Sequence, residues 1–194
     1  ALNRIVPLAL GLLRGKTAFE VRHQCGRGRL RATEAAYRDA GVPVGAASAA
    51  IPGVIKEPIA AEAAPTVKSV EVSEFIEDMA EAYAWADLVV CRAGALTIAE
   101  LCAVGLGSLL IPFPYAVDNH QHHNALFLEE QDAAQVLPEA GLSAENLALK
   151  IKFFQQNRAR LVAMAVNARA CFQADAAEYL ATSILAASVT RADA

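Results

Sequence analysis

Apolar residues at Leu2, Ile5, Val6, Leu12 and Leu13 fit one face of a helix and predict one at the start of the chain, with Pro7 near its beginning. The period then changes. In AFEVRHQ (residues 18–24), Phe19, Val21 and His23 alternate with other residues, which predicts a strand leading to the glycines of CGRGR. Residues 29–40 read as a helix that stops at Gly41. The stretch VPVGAASAAIPGVIKEPIAAEAAPT follows neither period and is rich in Ala, Pro and Gly. Residues 42–66 are therefore expected to form an inserted loop.

A regular alternation follows. TVKSVEV (66–72) predicts a strand, EDMAEAYAWA (77–86) a helix and DLVVCR (87–92) a buried strand. GALTIAELCAV (94–104) predicts a helix closed by Gly105, and SLLIPF (108–113) another buried strand. Residues 118–131 predict a helix and AAQVL (133–137) a short strand, after which Ser143 caps the first of two or three closing helices. Five strands alternating with helices, several continuously apolar, define an α/β class: a Rossmann-like parallel sheet with helices on both faces. No internal repeat is visible.

The 194 residues suit one domain of ordinary size. With 55% hydrophobic and 20% charged residues the chain is neither disordered nor an electrostatic tail, and a net charge of −4 argues against a nucleic-acid binder. Cys25, Cys91, Cys102 and Cys171 form no metal-binding spacing and read as reduced, mostly buried thiols. The longest uncharged run, residues 101–117, is interrupted by Gly105, Gly107, Pro112 and Pro114, so it does not read as a membrane-spanning helix. The opening has neither a basic leading region nor a small-residue cleavage site, so no signal peptide is expected. It also lacks an initiator methionine, which suggests a piece of a longer chain. Charge is uneven: residues 14–31 carry six Lys/Arg against one Glu, and residues 71–100 carry seven Asp/Glu against Arg92. Solvated faces account for both runs.

Ligands of parallel α/β sheets bind at the carboxyl ends of the strands, where helix N-termini present free N–H groups. VVCRAGALTIAE is the best such junction. Gly94 allows close approach to the backbone, and the amides of Ala95, Leu96 and Thr97 would face an anion such as a diphosphate. Glu100, one turn on, can accept two hydrogen bonds from a vicinal diol such as a ribose. Thr97–Glu100 equally fits a capping box. A second junction is PYAVDNHQHHNA, where Gln121 and Asn124 share a helical face and could bind sugar hydroxyls. His120, His122 and His123 do not fall on one face, and no metal site is expected.

The segments SEFIEDMAEAYAWADLVVCRAGALTIAEL and PFPYAVDNHQHHNA, together with HQCGRG, AAYRDAGV and MAVNARACFQADAAEYLA, closely resemble the MurG family. These glycosyltransferases add N-acetylglucosamine to the undecaprenyl-pyrophosphoryl-N-acetylmuramyl-pentapeptide lipid of peptidoglycan synthesis. The resemblance covers nearly the whole chain outside residues 42–66. It implies the carboxy-terminal, donor-binding domain of an inverting two-domain transferase of the GT-B type, spanning residues 1–194.

By that resemblance Ile76 meets the uracil of UDP-N-acetylglucosamine through its backbone. The run Gly94, Ala95, Leu96, Thr97, Ile98, Ala99 and Glu100 wraps the diphosphate and ribose, with Glu100 on the ribose hydroxyls, so ligand contact outweighs capping at Thr97–Glu100. His120 and Gln121 reach the N-acetylglucosamine ring, although some members carry Gln where His120 stands.

The family's first donor-domain strand, its glycine- and serine-rich loop and the preceding arginine have no counterpart here. The acceptor-lipid site, the membrane-facing patch and the general base are expected in an amino-terminal half, so no catalytic residue is assigned in this chain and the chain alone is expected to be inactive. The resemblance implies no cofactor, no nucleic acid, and peripheral contact with the cytoplasmic face of the bacterial inner membrane. Two alternatives are another UDP-sugar enzyme of this architecture, such as a 2-epimerase, and a free-standing nucleotide-sugar-binding module.

Overall fold

The computed structural model describes residues 1–15, 19–45, 69–175, 178 and 182. Helices and strands alternate through most of the chain: α1 (Leu2–Leu13), β1 (Glu20–Gln24), α2 (Leu30–Asp39), β2 (Ser69–Ser73), α3 (Met79–Trp85), β3 (Val89–Cys91) and α4 (Ala95–Val104). They continue with β4 (Ser108–Leu110), α5 (His120–Glu129), β5 (Ala134–Val136), α6 (Ala144–Gln156) and α7 (Arg158–Ala170). Among the described residues all strand pairings are parallel, and hydrogen bonding divides the strands into a β1–β2 pair and a β3–β4–β5 sheet.

The burial pattern explains why these strands read as apolar runs. Leu88, Val90 and Leu109 join a core built with α1, α2, α6 and α7. Val89, Cys91 and Leu110 join a second core, built with α4 and α5. Neighbouring residues of one strand thus enter opposite layers, as a sheet covered on both faces requires. Ser108, Leu109, Leu110 and Ile111 are fully buried, whereas β3 is only half-buried along its length. In that respect β3 departs from its apolar sequence.

Helix ends follow local chemistry. Ser143 caps α6 by accepting from Asn146 N–H at 3.1 Å, as its position predicts. Gly105 closes α4 in the left-handed region at φ +68°, and a Cβ added there would lie 2.9 Å from Arg169 Cβ on α7. Both backbone strain and crowding oppose a side chain at this point. Gly105→Ala is expected to cost about 1–3 kcal/mol, read as a lower urea midpoint at unchanged slope.

Several sequence expectations need revision. Leu12 is exposed, and Pro7, Ala9, Leu10 and Leu13 form the buried stripe of α1. The predicted 118–131 helix begins as a 3-10 turn over Val117–Asn119, with Asp118 and Asn119 in the left-handed region, before α5 starts at His120. The insertion expected at 42–66 starts too early at its described end. Val42 is buried, and Gly45 N–H donates to the Val70 carbonyl at 3.1 Å, so residues 42–45 run beside β2. Val42 and Val44 both join the core, giving this stretch a two-residue alternation across Pro43 that its loop-like composition masks. Residues 46–66 of the expected insertion, and the start of the strand expected at 66–72, lie outside the described residues.

Candidate functional site

The carboxyl ends of β1 to β4 each lead through a loop into a helix, and hydrogen bonds join the loops after β1 and β2 and, separately, those after β3 and β4. Between the first two, Cys25 N–H donates to the Ser73 carbonyl at 2.8 Å and Gly28 N–H to Glu74 Oε1 at 2.6 Å. Ile76 N–H donates to Gln24 Oε1 at 3.0 Å. A ligand using the Ile76 amide must therefore displace the Gln24 side chain, which is exposed.

The next junction carries most of the site. Helix α4 starts at Ala95, with Gly94 as its N-cap residue and no side chain capping it. Thr97 sits in the third helical position, so Thr97–Glu100 is not the capping box that its spacing allows. Gly94 has φ −66° and ψ 147°, values any residue adopts. Its lack of a side chain matters for approach, since a Cβ would meet only Thr97 Oγ1, at 3.7 Å.

The first turn of α4 thus offers amides and the positive end of a helix dipole at a strand end. Ala95, Leu96 and Ala99 are exposed, with Leu96 at 81%, and Thr97 is half-buried. Ile98 is turned the other way: its side chain is buried in the core and its N–H donates to the Gly94 carbonyl at 3.0 Å. Glu100 is exposed and accepts from the Tyr83 hydroxyl at 2.9 Å. Beneath it, burial and then the Glu100 charge push the Cys91 thiol up to about 12, which keeps it a protonated packing group.

The β4–α5 loop is fastened to this junction from below. Arg92 Nη1 donates to the carbonyls of Ile111 at 3.0 Å and Pro112 at 3.1 Å, and pairs with Glu139 at 2.5 Å. Asn124 Nδ2 donates to the Ala93 carbonyl at 3.0 Å, so Asn124 anchors α5 to the start of α4. Gln121 Oε1 accepts from Phe113 N–H at 3.0 Å, which leaves its amide group as the end able to donate outward. His120 is exposed in the first turn of α5. The roles of Gln24, Tyr83 and Arg92 were not legible in the sequence. Each depends on a partner 17 to 52 residues away.

Among the described residues no three His, Cys, Asp or Glu side chains converge as a metal site, and no helix is long and apolar enough to cross a membrane. All four cysteines are free; Cys25 and Cys102 are buried, and Cys91 and Cys171 are half-buried.

A parallel α/β arrangement, with strands that lead at their carboxyl ends into helices, defines the class: a Rossmann-like α/β domain. Residues 1–180 match the glycosyltransferase family 28 C-terminal domain, and the chain belongs to that family. It is 40% identical over 186 residues to a UDP-N-acetylglucosamine–N-acetylmuramyl-(pentapeptide) pyrophosphoryl-undecaprenol N-acetylglucosamine transferase of Marinobacter nauticus, covering 96% of this chain and 44% of that protein. Identity to the transferase of the same name from Xanthomonas campestris pv. campestris is 45%, over 95% of this chain and 37% of that protein. The crystal structure of Acinetobacter baumannii MurG superposes with a TM-score of 0.74 at 35% identity, covering 95% of this chain and 47% of that one. The chain thus spans less than half the length of these relatives.

Proposed function

We propose that this chain is the donor-binding half of an inverting transferase that moves N-acetylglucosamine from UDP-N-acetylglucosamine to the undecaprenyl-pyrophosphoryl-N-acetylmuramyl-pentapeptide lipid of peptidoglycan. The observation that carries the reading is the junction at α4. Uncapped amides at Ala95–Thr97 suit a diphosphate, and Glu100, one turn further, suits the two hydroxyls of a ribose. The donor and the acceptor are those named for the related transferases. Ile76 lies at the uracil and exchanges its Gln24 partner for the base. His120 and Gln121, on the facing loop, meet the sugar.

In this reading the residues of the chain bind and orient the donor. The amides and dipole at the start of α4 also stabilise the charge that grows on the departing UDP. The acceptor hydroxyl's proton goes to a base outside this chain, in the part of the intact protein that holds the lipid, at the cytoplasmic face of the membrane. The intact protein is expected to release UDP from UDP-N-acetylglucosamine when a soluble analogue of the lipid acceptor is added, and the 194-residue chain alone is expected to release none. Absence of acceptor-dependent release from the intact protein would overturn the reading.

Donor binding is also expected to be independent of metal, because the helix N-terminus takes the place of a divalent ion and the sequence holds no D-x-D motif. UDP titrations of the intact protein with EDTA and with magnesium should superimpose. A requirement for magnesium would contradict this use of α4.

A further inference from the structure

An exposed glutamate samples many rotamers, so a defined contact from Glu100 to a ligand gains from a partner that holds the carboxylate. Tyr83 on α3 is such a partner. Its hydroxyl donates to Glu100 Oε2 at 2.9 Å, and its ring packs against the core formed by α4 and α5. Burial and then this hydrogen bond raise the phenol well above its ordinary range, so it remains a donor at all working pH values.

The helix that carries Tyr83 is itself fixed. Asp78 caps it by accepting from Glu81 N–H at 2.8 Å. Arg22 of β1 grips the Glu81 carboxylate through both Nη atoms, at 2.7 and 3.1 Å, and lies over the Trp85 ring at 4.6 Å. A phenylalanine would fill the same space in the core. Packing therefore does not account for the hydroxyl, which spans from one helix to the exposed carboxylate of the next.

We propose that Tyr83 is a positioning residue for Glu100: its hydroxyl takes Oε2 and leaves Oε1 aimed to accept from the sugar hydroxyls of a nucleotide. The inference rests on the reading of Glu100 as the ribose ligand. It assigns to α3 a part in donor recognition although Tyr83 itself need touch no substrate.

The test is a set of equilibrium titrations of the intact protein with UDP and with 2′,3′-dideoxy UDP, using wild type, Tyr83→Phe, Glu100→Ala and the double variant. Tyr83→Phe should weaken UDP roughly 3- to 10-fold, the loss that follows from freeing a long side chain, and should leave the dideoxy nucleotide unchanged. In the Glu100→Ala background the same substitution should add nothing. A thermal melt of Tyr83→Phe close to that of wild type shows that the fold is retained. Equal weakening of both nucleotides, no weakening of UDP, or full additivity with Glu100→Ala would overturn the positioning role. Should Glu100→Ala separate UDP from its dideoxy analogue while Tyr83→Phe does not, the ribose reading stands and only the role of Tyr83 falls. Failure of Glu100→Ala to separate them removes both.

Discussion

Glu100→Ala is expected to weaken UDP binding to the intact protein roughly 10- to 150-fold and to leave 2′,3′-dideoxy UDP untouched. The magnitude follows from hydrogen bonds to a charged acceptor, each worth about 1.5–3 kcal/mol. The selectivity follows from chemistry, since the dideoxy sugar offers nothing for a carboxylate to accept. Stability should change little, because Glu100 is exposed and its side chain accepts from the Tyr83 hydroxyl at the surface. Isothermal titration with the two nucleotides checks the claim. Equal losses on both would remove Glu100 from the ribose.

The second large effect concerns acid stability and lies away from the ligand. His23 of β1 has Nδ1 2.8 Å from the Tyr37 hydroxyl and Nε2 3.1 Å from Asn3 Oδ1. Asn3 in turn donates through Nδ2 to the Cys25 carbonyl at 2.8 Å, which fixes its oxygen toward the ring. The neutral imidazole satisfies this network by donating from Nε2 and accepting at Nδ1 from Tyr37, itself fully buried. Burial lowers the His23 pKa from 6.5 to about 4.

Between those values the unfolded chain binds a proton that the folded chain refuses, so stability falls as pH falls. The contribution is complete above pH 6.5 and is lost progressively down to about pH 4. From pH 8 to pH 5 the loss from this one group is about 2 kcal/mol. Urea midpoints of wild type and His23→Gln at the two pH values isolate it, since other groups titrate in both proteins. Wild type should lose about 2 kcal/mol more than the variant over that interval. Parallel losses would show that His23 titrates normally in the fold.

These two residues also show what the sequence makes legible. Element order, the parallel arrangement and the α4 junction follow from local pattern: period-two runs, period-3.6 runs, and Gly105 or Ser143 at helix ends. Patterns of that kind lie within a few residues of one another. The network around His23 joins residues 3, 23, 25 and 37, and the strut behind Glu100 joins Arg22, Glu81, Tyr83 and Trp85. Neither has a spacing rule, because the partners meet only once the strands have paired.

Other spacings take their meaning only from where a helix starts and which face it buries. Thr97–Glu100 satisfies the capping-box spacing, but the helix starts three residues earlier than a box at Thr97 needs, and Gly94 takes the cap position. Ile98 lies inside a run assigned to the ligand, yet the helical period turns every third or fourth residue of that run into the core. Asn124, which shares a helical face with Gln121, is committed to the Ala93 carbonyl. Its amide links two loops at the site.

Hydrogen exchange of the intact protein, followed by mass spectrometry with and without saturating UDP-N-acetylglucosamine, tests most directly that this strand-end surface is the donor site. Added donor should slow exchange in peptides covering residues 74–78, 94–100 and 111–121, the loops after β2, β3 and β4 and the helix starts that follow them. Protection confined to other segments, such as the β5–α6 region at 137–150, or no protection by a bound donor in any of the three loops, would contradict it.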